Sequence, residues 1–274
     1  VLLSGGASAL LVQPATGVIL ADKQHLTRSL LASGASIAEI NTVRRKLSSI
    51  KGGGLARQIR ANDILLLAIS DVPGDAIADI GSGPMSPDPA TRAEARAIIA
   101  RYGIALAPAV AHALEEVDPG TPATVPQVTA RIVASSATAV GAAARAAEAA
   151  GWPALVLPEV SGPARDAARV HAELIRDLRA RRQRTVLISG GETTVSVTHP
   201  EGRGGRNGEY LLALALALGS AAGVHALAAD TDGLDGTGDN AGALLTPDTL
   251  LRAARVGQDA TAQLAAQYDW VIID

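Results

Sequence analysis

Two stretches, VLLSGG at residues 1–6 and VLISGG at residues 186–191, repeat one pattern in the two halves of the chain. In each, a short apolar run is typical of a buried strand, and the Gly-Gly pair that follows is typical of a tight turn. Between the two copies, similar apolar runs alternate with helix-like runs. Because strands that alternate with helices form parallel sheets, we expect an α/β fold with a mostly parallel sheet in each half.

The same alternation predicts individual elements. We expect strands at residues 1–3, 64–69, 131–134, 154–157, 185–188 and 225–229, and we expect the run at 64–69 (ILLLAI) to be fully buried. We expect helices at residues 22–31, 91–102, 138–150, 164–182 and 207–218. Residues 116–127 contain three prolines and a glycine, which is typical of a linker. This linker divides the chain into a first domain at residues 1–120 and a second at residues 128–274.

Length and composition restrict the function classes. With 274 residues the chain is long enough for two domains, and 48 % hydrophobic residues allow a sizeable core. A net charge of −3 and the lack of a long apolar run predict neither a nucleic-acid partner nor a membrane partner. The lack of cysteine excludes disulfides and is compatible with the cytoplasm. Both ends lie in strand-like runs, so we expect a truncated chain.

Two segments of the first half have the composition of anion sites. Ser4, Gly5, Gly6, Ala7 and Ser8 follow a strand and precede a helix-like run, so their backbone N–H groups are candidates for a phosphate or carboxylate. The spacing is neither that of a P-loop nor GxGxxG, and an ordinary turn is the alternative. Lys51 precedes three glycines, and no acidic residue occurs between residues 44 and 60. Lys51 is either a phosphate ligand or part of a solvated basic loop.

Acidic and arginine-containing loops supply the remaining candidates. Asp71 follows the strand at residues 64–69, where a carboxylate either holds Mg²⁺, accepts a substrate proton or caps a turn. The segment GRGGRN at residues 202–207 places Arg206 just before a helix, where its guanidinium is a candidate for binding a phosphate or a carboxylate through two N–H donors. The loop at residues 230–239 contains four aspartates, among them Asp232, and is either a cation site or an acidic turn. The five histidines lie apart, which argues against a zinc site.

Six segments in order resemble the class II glycerate kinase family. They are LLSGGASALL at 2–11, INTVRRKLSSIKGGGLA at 40–56, SDVPGDAIADIGSGPMSPDP at 70–89, ISGGETTVSV at 188–197, GRGGRN at 202–207 and ADTDGLDG at 229–236. The resemblance covers nearly the whole chain and ends after about residue 264. A family segment with a functional lysine precedes the region that the chain covers, and Gly208 replaces a usual glutamine.

The resemblance implies a Rossmann-like first domain, a second α/β domain of the MOFRL type and an active site in the cleft between them. It implies ATP and Mg²⁺ as cofactors, D-glycerate as substrate and 2-phosphoglycerate as product. Arg206 matches a functional arginine of the family and, with Lys51, would bind the glycerate carboxylate or the moving phosphoryl group. The implied cofactor-binding positions are the two Gly-rich turns and the start of the GGRN helix, namely Ser4 to Ser8, Gly190, Gly191, Glu192 and Asn207.

Further roles and two other functions stay open at this point. Asp71 or Asp232 would hold Mg²⁺ or orient the attacking hydroxyl. Some family members carry the name hydroxypyruvate reductase, and an NAD(P)H-dependent reductase is the first alternative, although GxGxxG is lacking. An inactive fragment that only binds its ligand is the second alternative. We expect a cytoplasmic protein, for which a homodimer remains open.

Overall fold

A computed structural model describes residues 1–115, 126–196, 204–219, 221–236 and 239–266. The chain divides into two compact units, Val1–Ser135 and Ser136–Asp274. The predicted linker at residues 116–127 lies almost entirely outside the described residues. No helix in the described ranges is long and apolar enough to cross a membrane.

The first unit contains a three-stranded parallel sheet of β1 (Leu2–Leu3), β2 (Asp63–Ile69) and β3 (Gln127–Ala134), in that order. Only one face of β2 is buried, because Leu66 is 1 % exposed whereas its neighbour Leu65 is 52 % exposed. The prediction of a fully buried strand is therefore wrong, although the strand itself is confirmed. β3, which the sequence interpretation placed in the second domain, pairs with β2 and lies in the first unit.

Six α-helices lie in the described part of the first unit. They are α1 (Ala7–Leu10), α2 (Leu20–Ala32), α3 (Ile37–Lys46), α4 (Gly54–Gln58), α5 (Arg92–Arg101) and α6 (Pro108–Glu115). Apolar residues of α2, α3, α5 and α6 form one core, which includes Leu30, Ile40, Ile98 and Leu114. A second core lies against the sheet and includes Leu3, Leu66 and Ile80. The sequence interpretation missed α3, although it treated its basic residues as a segment.

The described part of the second unit contains five α-helices and three pairs of short strands. Its helices are α7 (Ser136–Ala149), α8 (Ala164–Ala180), α9 (Arg206–Leu218), α10 (Thr249–Arg255) and α11 (Ala260–Ala266). β4 (Ala154–Val156) is parallel to β6 (Val186–Ile188), and β5 (Val160–Pro163) is parallel to β7 (Gly191–Thr194). β8 (Ala226–Ala229) and β9 (Gly242–Leu245) are antiparallel. Leucines of α9 and alanines of α8 form its core.

These observations confirm the α/β class and the predicted helices, with ends that differ by a few residues. The sequence interpretation missed β5, β7 and β9. All three are four residues long and contain glycine or proline, which weakens a strand pattern. The antiparallel pair of β8 and β9 also departs from the expected parallel arrangement.

Candidate functional site

The Gly-rich turn of the first unit lies beside Asp71. β1 and β2 are parallel neighbours, and Leu3 is paired with Ala68, so the residues after both strands lie at the same edge of the sheet. A Cβ built on Gly5 would lie 3.1 Å from Oδ2 of Asp71, and hence glycine allows this close approach. The structure thus brings together two candidates that lie more than 60 residues apart in the sequence.

Lys51 is buried below this turn. Lys51 is 2 % exposed, and its Nζ donates to the carbonyl oxygens of Ser8 at 2.8 Å and Gly81 at 3.3 Å. Burial and the neighbouring charge of Arg44 lower the pKa of Lys51 to about 8. The interpretation of Lys51 as part of a solvated basic loop is therefore wrong. The hydroxyls of Ser8 and Ser82 lie 2.7 Å apart and connect the turn to the same loop as Gly81.

Two further cations that sequence reasoning did not select lie near Lys51. Arg44, on α3, donates from Nη2 to the carbonyl oxygen of Ser8 at 2.7 Å, and burial lowers its pKa. Lys23, on α2, is buried, and within the described residues its Nζ has no hydrogen-bond partner. Burial, followed by the charges of Lys51 and Arg44, lowers the pKa of Lys23 to about 8. We call Lys23, Arg44 and Lys51 the cationic cluster.

The sequence did contain a signal for Lys23. It precedes Leu26 and Leu30 by three and seven residues, which places it on the buried face of α2. A lysine on an apolar helical face is unusual, because burial of an ammonium without a partner is costly.

Other residues of the basic segment have a different role. Arg45 Nε lies 3.2 Å from Oδ1 of Asp88, and Lys46 Nζ lies 3.1 Å from Oδ2. These residues line a cavity of about 270 Å³ that Lys51 and Arg57 also line. The lack of acidic residues between residues 44 and 60 favoured an anionic ligand for this segment. In the structure, Asp88 pairs with Arg45 and Lys46 from elsewhere in the chain. The three residues of the cationic cluster have no such carboxylate partner among the described residues.

In the second unit, Arg206 is the first residue of α9, and its guanidinium pairs with two carboxylates. Nη2 lies 2.9 Å from Oδ1 of Asp230 and Nε lies 3.2 Å from Oδ2, while Nη1 pairs with Glu192. Burial acts against its charge, but the bonds to Asp230 and Glu192 dominate and raise the pKa of Arg206. Arg206 is thus a fixed cation at the end of β8, and Glu192 contacts it directly.

Asp235 is a residue of this region that sequence reasoning missed. It is 1 % exposed, and its carboxylate accepts hydrogen bonds from Asn207 N, Asn207 Nδ2 and Gly208 N at 3.1, 3.2 and 2.9 Å. It thereby caps α9 directly after Arg206. A Cβ on Gly205 would clash with Asp235, so glycine is needed for this approach. The predicted cofactor-binding residue Asn207 is held by Asp235.

The remaining candidates are less enclosed. Gly190 and Gly191 pack against neighbouring residues, since Gly190 O accepts from Val160 N at 2.9 Å and a Cβ on Gly191 would clash with Val160. Asp232 is exposed and accepts from Leu234 N at 3.1 Å. No group of three or more acidic or histidine side chains suited to a metal occurs in the described ranges. Single carboxylates such as Asp71 and Asp232 fit Mg²⁺, which often takes its other ligands from phosphates and water.

Family models match both halves of the chain. The model described as "Domain of unknown function (DUF4147)" matches residues 1–115, and the model of the MOFRL family matches residues 185–273. The second match extends past residue 264, so the expectation that the resemblance ends there is wrong.

Named relatives point to the same family. A protein of Agrobacterium vitis, provisionally named hydroxypyruvate reductase, is 47 % identical, with 97 % of this chain and 62 % of that protein covered. Glycerate kinase of Macaca fascicularis is 36 % identical, with 97 % and 79 % covered. A crystal structure of glycerate kinase from Thermotoga maritima is 35 % identical, with a TM-score of 0.86 and 99 % and 66 % covered. The chain thus spans about two thirds of the length of these relatives. Its similarity to them and both family matches show that the chain belongs to the class II glycerate kinase family.

Proposed function

We propose that the protein is an ATP-dependent glycerate kinase that transfers the γ-phosphoryl group of ATP to D-glycerate and forms 2-phosphoglycerate. The observation that carries the proposal is the cationic cluster beside the Gly-rich turn of the first unit. Phosphoryl transfer depends on positioning and on positive charge around the transferred group. Membership of the glycerate kinase family supports this reaction over other phosphoryl transfers.

Each candidate residue has a role in this reaction. Lys51 and Arg206 bind the glycerate carboxylate or stabilise the negative charge of the phosphoryl group. The Gly-rich turns donate backbone N–H groups to phosphate oxygens. Asp71 or Asp232 would hold Mg²⁺, which neutralises phosphate charge when it is bound. The proposed reaction uses the small molecules ATP and D-glycerate. The proposal includes a cytoplasmic location and leaves a homodimer open.

The first prediction concerns Arg206. We expect Arg206→Ala to lower kcat/KM for D-glycerate about 10³-fold or more, since removal of an arginine that stabilises a phosphoryl group has effects of this order. The rate is measured with ATP and D-glycerate, and ³¹P NMR identifies the product. Arg169→Ala is the control, because Arg169 is an exposed arginine on α8 of the same unit that pairs with Asp166. A variant Arg206→Ala with a nearly unchanged rate would contradict this role.

A second function has one observation in its favour, the hydroxypyruvate reductase name of the relative at 47 % identity. The Gly-rich turns lack the GxGxxG spacing of a nicotinamide site. Incubation with hydroxypyruvate and NADH or NADPH distinguishes the two functions, because reduction lowers the absorbance at 340 nm. A decrease that depends on the protein, without phosphoglycerate formation from ATP and D-glycerate, would replace the kinase proposal.

A further inference from the structure

Lys23 carries a buried ammonium group that has no hydrogen-bond partner among the described residues. The residue is 6 % exposed, and within the described ranges its Nζ donates no hydrogen bond to a carboxylate or carbonyl oxygen. Buried ammonium groups normally lie against a counter-ion or hydrogen-bond acceptors, because their desolvation is otherwise uncompensated. The three N–H donors of Lys23 are therefore available to a group from outside the chain.

The surroundings of Lys23 are positive as well. Arg44 and Lys51 converge on the carbonyl oxygen of Ser8, and their charges act on Lys23 in addition to the larger effect of burial. No carboxylate forms an ion pair with any of these three residues in the described part of the chain. The nearby cations Arg45 and Lys46, by contrast, both pair with Asp88, and Nη1 of Arg45 also lies 3.6 Å from Oδ1 of Asp79. Among the described residues, this buried site therefore has three positive charges and no negative one.

We propose that Lys23, Arg44 and Lys51 form a binding site for a single oxyanion group, and that Lys23 is its main donor. Among the described residues, Lys51 uses two of its three N–H donors on Ser8 and Gly81, whereas none of the three donors of Lys23 has an acceptor. A phosphate or a carboxylate has enough oxygens to accept from several of these cations at once. The identity of the anion rests on the proposed function, under which it is the carboxylate of D-glycerate or a phosphate group of ATP.

A binding role and a structural role of Lys23 predict opposite effects on stability. In the absence of an anion, a buried ammonium that is repelled by two cations destabilises the fold. Lys23→Met replaces it with an apolar side chain of similar length and removes the repulsion. If Lys23 serves only anion binding, the variant is more stable than the wild type without ligand and binds the anion more weakly. If Lys23 holds the structure together, the variant is less stable.

The experiment measures the melting temperature of wild type, Lys23→Met and Arg28→Met at low ionic strength in a phosphate-free buffer. Arg28 is the matched control, because it is an exposed cation on the same helix, α2, and forms no ion pair among the described residues. Inorganic phosphate, D-glycerate and ATP are titrated separately, and calorimetry gives their dissociation constants. A variant Lys23→Arg tests whether a positive charge at this position restores binding.

We expect Lys23→Met to melt about 2 to 4 °C above the wild type without ligand. We expect at least one of the three anions to raise the melting temperature of the wild type, and its dissociation constant to increase about tenfold or more in Lys23→Met. Arg28→Met should behave as the wild type. The probe that loses affinity identifies the anion as a phosphate or as the carboxylate of glycerate.

Three results would overturn the proposal: a Lys23→Met variant that is insoluble or less stable, unchanged binding of all three anions by that variant, or no binding of them by the wild type. Formation of phosphoglycerate is assayed on the same wild-type preparation. A protein that binds phosphate through Lys23 but forms no phosphoglycerate would refute the proposed function and leave the anion site intact.

Discussion

Lys23, Lys46 and Lys51 are the only lysines of the chain, and Lys23 and Lys51 are both buried. The pKa of each of these two lysines is lowered to about 8, so both remain mostly protonated at neutral pH. A buried lysine that keeps its charge near pH 7 can bind an anion and can also lose a proton at modest cost. Sequence reasoning identified Lys51 from the glycines that follow it. It did not predict the burial of Lys51, because the acceptor Gly81 lies 30 residues away.

Asp235 holds the start of α9 through three hydrogen bonds. We expect Asp235→Asn to destabilise the second unit by about 2 to 3 kcal/mol. Three N–H donors lose a charged acceptor, and one of them then faces the NH2 group of the new side chain, which cannot accept a hydrogen bond. We also expect a lower kcat/KM, since Asp235 positions the start of α9, which carries Arg206. Urea unfolding followed by tryptophan fluorescence measures the first effect and the kinase assay the second.

A nearby aspartate is the control for the stability measurement. Asp232 is exposed and accepts one backbone hydrogen bond, so Asp232→Asn should change the stability by no more than about 0.5 kcal/mol. Equal stabilities of Asp235→Asn and the wild type would contradict the capping role of Asp235. Sequence reasoning selected Asp232 from the four aspartates of this loop and missed Asp235. The pattern of Asp and Gly does not reveal which carboxylate is buried.

Individual helices and strands were predicted correctly where the pattern of apolar residues lies within that one element. The strand at β2 and the helix at α5 were predicted from the spacing of apolar residues, and the structure confirms both. Spacing alone did not show which face of β2 is buried, or that β3 belongs to the first unit, because strand pairing joins distant segments. The pairing of Arg45 and Lys46 with Asp88 was missed for the same reason.

Two capping boxes support a prediction about α3 and α5. Ser36 Oγ accepts from Glu39 N at 3.3 Å, and Thr91 Oγ1 accepts from Glu94 N at 3.1 Å. We expect Ser36→Ala and Thr91→Ala each to cost about 1 kcal/mol of stability, as the loss of a helix N-cap does. Urea unfolding followed by far-UV circular dichroism measures this change.

Ser29→Ala is the matched control for the caps. It removes a hydroxyl from the middle of α2 that forms no side-chain hydrogen bond among the described residues, so the stability should change by no more than about 0.5 kcal/mol. The role of the caps would be refuted if all three variants had the same stability. Glu39 also accepts from the hydroxyl of Tyr102 at 2.9 Å, so the first box additionally connects α3 with the end of α5.

At the scale of the whole molecule, the two units have separate cores. The apolar residues around Leu30 all belong to the first unit, and those around Leu212 all belong to the second. Both leucines are completely buried. Replacement by alanine removes the same atoms in each case and costs about 2 to 5 kcal/mol through lost transfer free energy and cavity formation.

Separate cores predict that each substitution acts on its own unit. Trp152 is a described residue of the second unit, so its fluorescence, measured in a Trp270→Phe background, reports on that unit. We expect Leu212→Ala to lower the urea midpoint seen by fluorescence. Leu30→Ala should lower the midpoint of part of the circular dichroism signal and leave the fluorescence midpoint unchanged. A common shift of both signals in both variants would show instead that the two cores unfold as one cooperative structure.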